Sequence, residues 1–150
     1  MMAVQSTYSA TLSAAVAGMV GNMVPATFIS RTVEDAAGIA FGLAAAQGTE
    51  DYECSAFGSG DTAIIGIVAR ERDVDPATPS KFAQYENARI MTKGCVWVTA
   101  SVAVNAGDPV YVIPATGAYA KTSASSAVLI ANARWETSTT GEGLALVRLG

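Results

Sequence analysis

The chain has 150 residues, of which 51% are hydrophobic and only 15% charged, and its formal net charge is −4. That length gives one domain by prior and buries roughly 70% of the unfolded surface, so a core needs neither a metal nor a disulfide. Nine scattered Lys and Arg exclude a nucleic-acid groove, which needs clustered cations, and the absence of histidine removes the commonest metal ligand and general base together. The charged fraction lies well below the about 25% of an average domain, which points to a surface that is partly buried against partners. Val and Ile outnumber Leu, and this favours strands over helices.

Residues 1–27 read as an N-terminal arm that docks on something else, followed by a β domain over 28–150. No formal side-chain charge occurs before Arg31. Leu12 to Val24 is apolar and small, but no basic segment precedes it, so it does not read as a signal peptide. Ser13, Gly18, Gly21 and Asn22 interrupt it too often for a membrane span. Met19 and Met23, four apart, form either the apolar side of a short helix that enters a partner groove or part of a flexible segment.

Arg31–Ala36 is a short polar segment that fits an edge strand. Ile39–Ala45 is a buried strand, with Gly42 marking a bulge or a close backbone approach. Thr49–Asp61 is a loop carrying Glu50, Asp51 and Glu53; it lacks the spacing of an EF-hand calcium loop and reads as a solvated acidic loop. Thr62–Arg70 is a central strand, and Glu71–Ala83 a second loop, where Pro76 and Pro79 exclude regular structure. Tyr85–Thr92 is a strand joined through Lys93-Gly94, as a hairpin with the glycine at positive φ, to a strand starting at Cys95.

Gly94–Ile113 is the clearest signal in the chain. Cys95–Thr99 is rich in β-branched and aromatic residues, Val102 and Val104 continue it, and Asn105–Pro109 breaks it with turn-forming types. Val110–Ile113 begins a new strand, with Pro109 at a turn or first-strand position because it has no backbone donor. The two strands read as the central pair of the scaffold. Pro114–Gly117 makes another hairpin connection, Ala118–Lys121 a short return and Thr122–Ala127 a loop. Leu129–Thr137 is a strand pair or a bulged strand. Leu144–Leu149 closes the domain and pairs centrally or with a neighbouring subunit, being too apolar for a free edge. Short strands at close spacing, separated by Gly, Pro and Ser, specify an all-β fold: a jelly-roll or barrel-like antiparallel β-sandwich with an extended N-terminal arm.

Catalytic constellations are missing. No GxSxG elbow, P-loop or CxxC occurs, and Cys54 and Cys95 read as reduced structural residues in a protein made in the cytoplasm. The residues therefore imply no cofactor, no metal and no enzyme. Trp97 and Trp135 read first as core or interface anchors and second as stacking platforms for sugars or bases.

The order and spacing of several segments carry a resemblance. Gly18–Val20, the stretch Ser30–Gly48 (SRTVED…IAFGLAAAQG), the strand from Tyr85 into TKGCVWVTASVAVNAGDPVYV, and the tail IANARWET…GLALVRL together resemble the structural cement, or head decoration, proteins of tailed bacteriophages. The resemblance implies a β-rich structural virion protein without enzymatic activity. It implies a place on the outer surface of the icosahedral head, across boundaries between copies of the major capsid protein, and self-association, with a homotrimer favoured over a homodimer. Nucleic acid and membrane are not implied as partners. Met19, Met23, Phe28, Arg31, Trp97 and Trp135 are the candidate capsid or subunit contacts. The competing readings are a carbohydrate- or ligand-binding β-sandwich that exposes a tryptophan, and a small β-barrel enzyme that uses paired carboxylates.

Overall fold

A computed structural model of the chain describes residues 15–61 and 63–150. The first part of the predicted arm, residues 1–14, and Thr62 lie outside the described residues. Eleven strands are found among the described residues. They are β1 (Thr27–Val33), β2 (Ile39–Ala40), β3 (Ala44–Gln47), β4 (Glu53–Ala56), β5 (Ile64–Val68), β6 (Lys81–Phe82), β7 (Asn87–Ala100), β8 (Pro109–Val112), β9 (Tyr119–Ala120), β10 (Val128–Trp135) and β11 (Gly143–Leu149).

β7 organises the molecule. It has 14 residues, and its two halves belong to different closed rings. In the first ring β7 pairs with β1 and β5, and β3 and β4 complete the circuit back to β1. In the second, β7 pairs with β11, and β10, β8 and β9 lead back to Ala100 of β7. The fold is therefore all-β and barrel-like, as the short, closely spaced strands and the Gly, Pro and Ser turns predict. Pairings are antiparallel except β1–β4 and β7–β9. Closure of both rings leaves few strand edges open to non-specific pairing.

A β-bulge lets one strand serve two rings. Thr27 pairs with Lys93 but Phe28 pairs with Met91, so β7 carries one extra residue there. An extra residue switches which side chains share a face. Before it, Ala88 and Ile90 point into the first ring; beyond it, Val96, Val98 and Ala100 point into the second, on the same cluster as Met91. Gly94 follows the bulge at φ 123°, where a Cβ would stand 2.8 Å from that of Ala26.

The two cores differ in make-up. The first ring encloses Val33, Ile39, Phe41, Ala45, Cys54, Val68, Phe82, Ala88 and Ile90, with Phe41 and Phe82 in edge-to-face contact at 5.3 Å. The second core holds Trp135, Tyr119 and the valine ladder, and it extends to Phe57 just past β4 and to Ala44, Ala46 and Ile67 on the other face of β3 and β5. Those strands are thus covered on both sides, which explains the near-continuous apolar run in AAA and IIGIV.

Several expectations differ from the structure. The edge strand expected at Arg31–Ala36 overlaps β1, a strand held between β4 and β7, and the loop expected at Thr49–Asp61 contains β4. The predicted hairpin at Lys93-Gly94 is a single strand, because β1 holds residues up to Lys93 and β11 holds Gly94 onward along an unbroken axis. Gly94 does have positive φ, but it serves the bulge. The strands on either side of Asn105–Pro109 are not paired with each other. β7 already has β11 on one side and residues 18–21 on the other, so β8 pairs with β9 and β10 instead. Ile39–Ala45 is divided by a turn at Gly42 (φ 84°) into β2 and β3. By contrast, Pro109 opens β8, Pro114–Gly117 joins β8 to its antiparallel neighbour β9, and β11 pairs centrally, as the sequence indicates.

Candidate interaction surfaces

Residues 15–26 lie along the domain. The Gly18 amide donates to the Trp97 carbonyl at 2.7 Å, the Trp97 amide to the Met19 carbonyl at 2.9 Å, and the Gly21 amide to the Cys95 carbonyl at 2.9 Å. Val20 forms an isolated bridge to Val96. This segment therefore fills the edge of β7 opposite β11. Gly18 and Gly42 approach so closely that a Cβ on either would stand 2.9 Å from the other's backbone nitrogen. That contact is the approach which the glycine inside the predicted strand marks.

The six candidate contact residues take different positions. Met23 is fully exposed and Met19 is 44% exposed, beside Val16 at 43%. Together they put apolar side chains in solvent on the docked segment, and Met19 and Val16 line a concavity of about 430 Å³ with Arg70, Glu71 and Arg72. Phe28 is half-buried under the Arg89 guanidinium, 3.8 Å from the ring centroid, a cation–π stack. Both line an open concavity of about 570 Å³ rimmed by Glu71, Asp73 and Glu86, with Tyr85 76% exposed and held at φ 69°. Arg31 is half-buried; one guanidinium nitrogen donates to the Ser30 carbonyl, and its Nε has no partner. Trp97 is half-buried on the outer face of β7, opposite Leu146. Trp135 is 1% exposed within the second core, so it offers no platform to a sugar or a partner in this fold.

A further face lies on the outside of β10 and β11, which no motif in the sequence marks. Arg134 and Arg148 stand directly opposite each other there, lining a concavity of about 510 Å³ with Asn132 and Gly150. The alternation of LALVRL marks Arg148 as outward-facing. What single-strand patterning cannot give is its pairing with Arg134, which depends on register.

The electrostatics are those of a scaffold. Burial, reinforced by Asp35 and Glu34, pushes the Cys54 thiol up to about 11, which keeps it protonated and unreactive. Cys54 and Cys95 are both buried and form no disulfide, and the Cys54 thiol donates to the Arg31 carbonyl at 3.9 Å. Burial also raises the Tyr119 phenol, whose hydroxyl donates to the Gly42 carbonyl at 2.7 Å. The Glu34 carboxyl lies below its ordinary value because the Thr49 amide donates to it at 3.0 Å. Among the described residues no three Cys, Asp or Glu side chains converge as a metal site would need, and no helix is long and apolar enough to cross a membrane. The arrangement offers faces and concavities for docking, on strands that hold them rigid.

Comparison with known proteins gives one sequence family and a fold. The model of the family described as Structural cement protein (E217 gp24/Pam3 gp6) matches residues 4–150. No curated protein matches the chain. Among solved structures, a chain from "The capsid of Myoviridae Phage XM1" is similar with a TM-score of 0.80 and 20% sequence identity, covering 99% of this chain and 98% of that one. At that identity the likeness is one of fold.

Proposed function

The chain belongs to the structural cement protein family, and from that premise we propose that it sits on the outer surface of a phage head and bridges boundaries between copies of the major capsid protein. It is a structural protein of the virion that stabilises the head. The observation that carries the reading is the family match over residues 4–150, which takes in both rings and the docked segment rather than one motif. The protein works without turnover. A joint that exists only in the assembled, expanded shell is stabilised by whatever binds it and not its separated parts, by mass action. Self-association, a trimer in preference to a dimer, multiplies modest contacts into firm attachment. Because the rings close most strand edges, these contacts use side-chain faces, with the exposed Met19 and Met23 and the half-buried Phe28, Arg31 and Trp97 as candidates.

Expanded shells that lack the protein provide the test. Purified protein should bind them saturably and raise their melting temperature in calorimetry, while soluble capsid protein should bind weakly. Equal binding to soluble capsid protein, or no binding to shells, would sink the proposal. The arm is tested by removing residues 1–14, because the hydrogen bonds of residues 18–21 to β7 make a longer deletion a change to the fold itself. Loss of shell binding with the fold retained is expected.

A further inference from the structure

The strongest unassigned feature is the outer face of β10 and β11. Arg134 and Arg148 are register partners across an antiparallel pair, and like charges directly opposite each other destabilise a sheet. The acid within reach is Glu136, whose Oε1 is 3.9 Å from a guanidinium nitrogen of Arg148, with half of the Arg148 side chain in solvent. A contact that long and exposed offsets little of the repulsion. The stem of Lys93 runs beside Gly150 at the rim, so a third cation is close by. Asn132, held at φ 60°, adds a carboxamide to the lining.

The charge of the whole chain is also divided. Ten of the thirteen acidic residues precede Lys93, with five basic residues among them, for a net −5; from Lys93 onward there are four basic and three acidic residues, for a net +1. A negatively charged surface would therefore repel the first part of the chain and attract the face that holds the two arginines.

We propose that the Arg134–Arg148 face is the docking site for a carboxylate-bearing patch on the shell protein, and that it fixes which end of the molecule points to the shell. Two guanidinium groups on paired strands offer a rigid fork that suits Asp or Glu side chains. A carboxylate entering between them supplies counter-charge that Glu136, at 3.9 Å and partly in solvent, provides only weakly. This deepens the cement reading and rests on it.

The test uses the full chain and the shells described above, with wild type, Arg134→Ala, Arg134→Ala/Arg148→Ala and Lys121→Ala as a charge-matched control. The single arginine variant should lose roughly tenfold in shell affinity, as expected when one partner of a docked charge pair is removed. The double variant should lose more and show a shallower dependence on salt. Both should melt at or above the wild-type temperature, since the repulsion is gone, and Lys121→Ala should bind as wild type. If wild type fails to bind shells, the cement reading is at fault. If wild type binds and a folded double variant binds equally, with the same salt dependence, this inference is wrong. It is also wrong if the double variant dissociates the free oligomer in sedimentation, which would make a second copy the occupant of the face.

Discussion

The two rings share β7 yet are built differently. The first surrounds a smaller core of nine residues centred on the Phe41–Phe82 pair, and it carries long acidic connections. The second has the larger core, 18 buried residues among those described, with valines on β7 and β8, the buried Trp135 and Tyr119, and a slight excess of positive charge. Hydrophobic stabilisation grows with the apolar area buried, and a buried tryptophan contributes a large share of it. The second ring thus acts as the anchor, and the first holds its loops against it. Each half of β7 has a partner on both sides, so neither ring can open without disturbing the strand the other needs.

The largest expected effect breaks the anchor. Trp135→Ala should cost about 3–5 kcal/mol, the range for emptying a buried aromatic site. If β7 couples the rings, amides of both should lose hydrogen-exchange protection together and calorimetry should show one transition. Persistence of the first ring after the second has melted would make them separate units. The next effect targets the tie between them. Tyr119 of β9 donates its hydroxyl to the carbonyl of Gly42, at the turn between β2 and β3. Tyr119→Phe leaves that buried carbonyl unpaired and should cost about 1–3 kcal/mol. Denaturant melts would check it, and an unchanged midpoint would show that the tie carries no coupling.

The sequence read well where local chemistry decides structure. Turn types located Pro109 and Gly117, runs of apolar β-branched and aliphatic residues located β5 and β11, and the order of segments across most of the chain pointed to the family. It read poorly where partners decide. Lys93-Gly94 carries a hairpin signal, but a bulge uses the same glycine conformation inside a strand, and only the ladders of β1 and β11 distinguish the two. Glu53–Ala56 is too short and polar to stand out from an acidic loop, yet it becomes β4 because β3 and β1 offer it edges. Trp97 and Trp135 look alike in sequence, each within an apolar run. Their difference in burial follows from which face of the second ring each occupies. The Arg134–Arg148 pair was invisible for the same reason, since register between two strands is a property of the assembled sheet.

The smallest expected effect sharpens the contrast in charge. With no histidine, no side chain has its ordinary pKa between those of the carboxylates and the cysteines, and burial moves Cys54 further up, to about 11. Stability and shell binding should therefore be flat from pH 6 to 8, and a transition between pH 6 and 7 would contradict this. On the acid side the acid-rich first ring should respond first. Glu34 is an example: accepting the Thr49 amide lowers its carboxyl below the ordinary 4.5, so its contribution is present in full above that value and is lost as pH falls through the lowered one. Glu34→Gln should lower the melting temperature slightly at pH 7, by about 1–2 °C, and the difference from wild type should vanish well below pH 4. Hydrogen exchange at pH 4 should show β4 and the Thr49 loop opening ahead of β10 and β11. Simultaneous loss in both rings would mean that β7 couples them too tightly for the acidic loops to open alone.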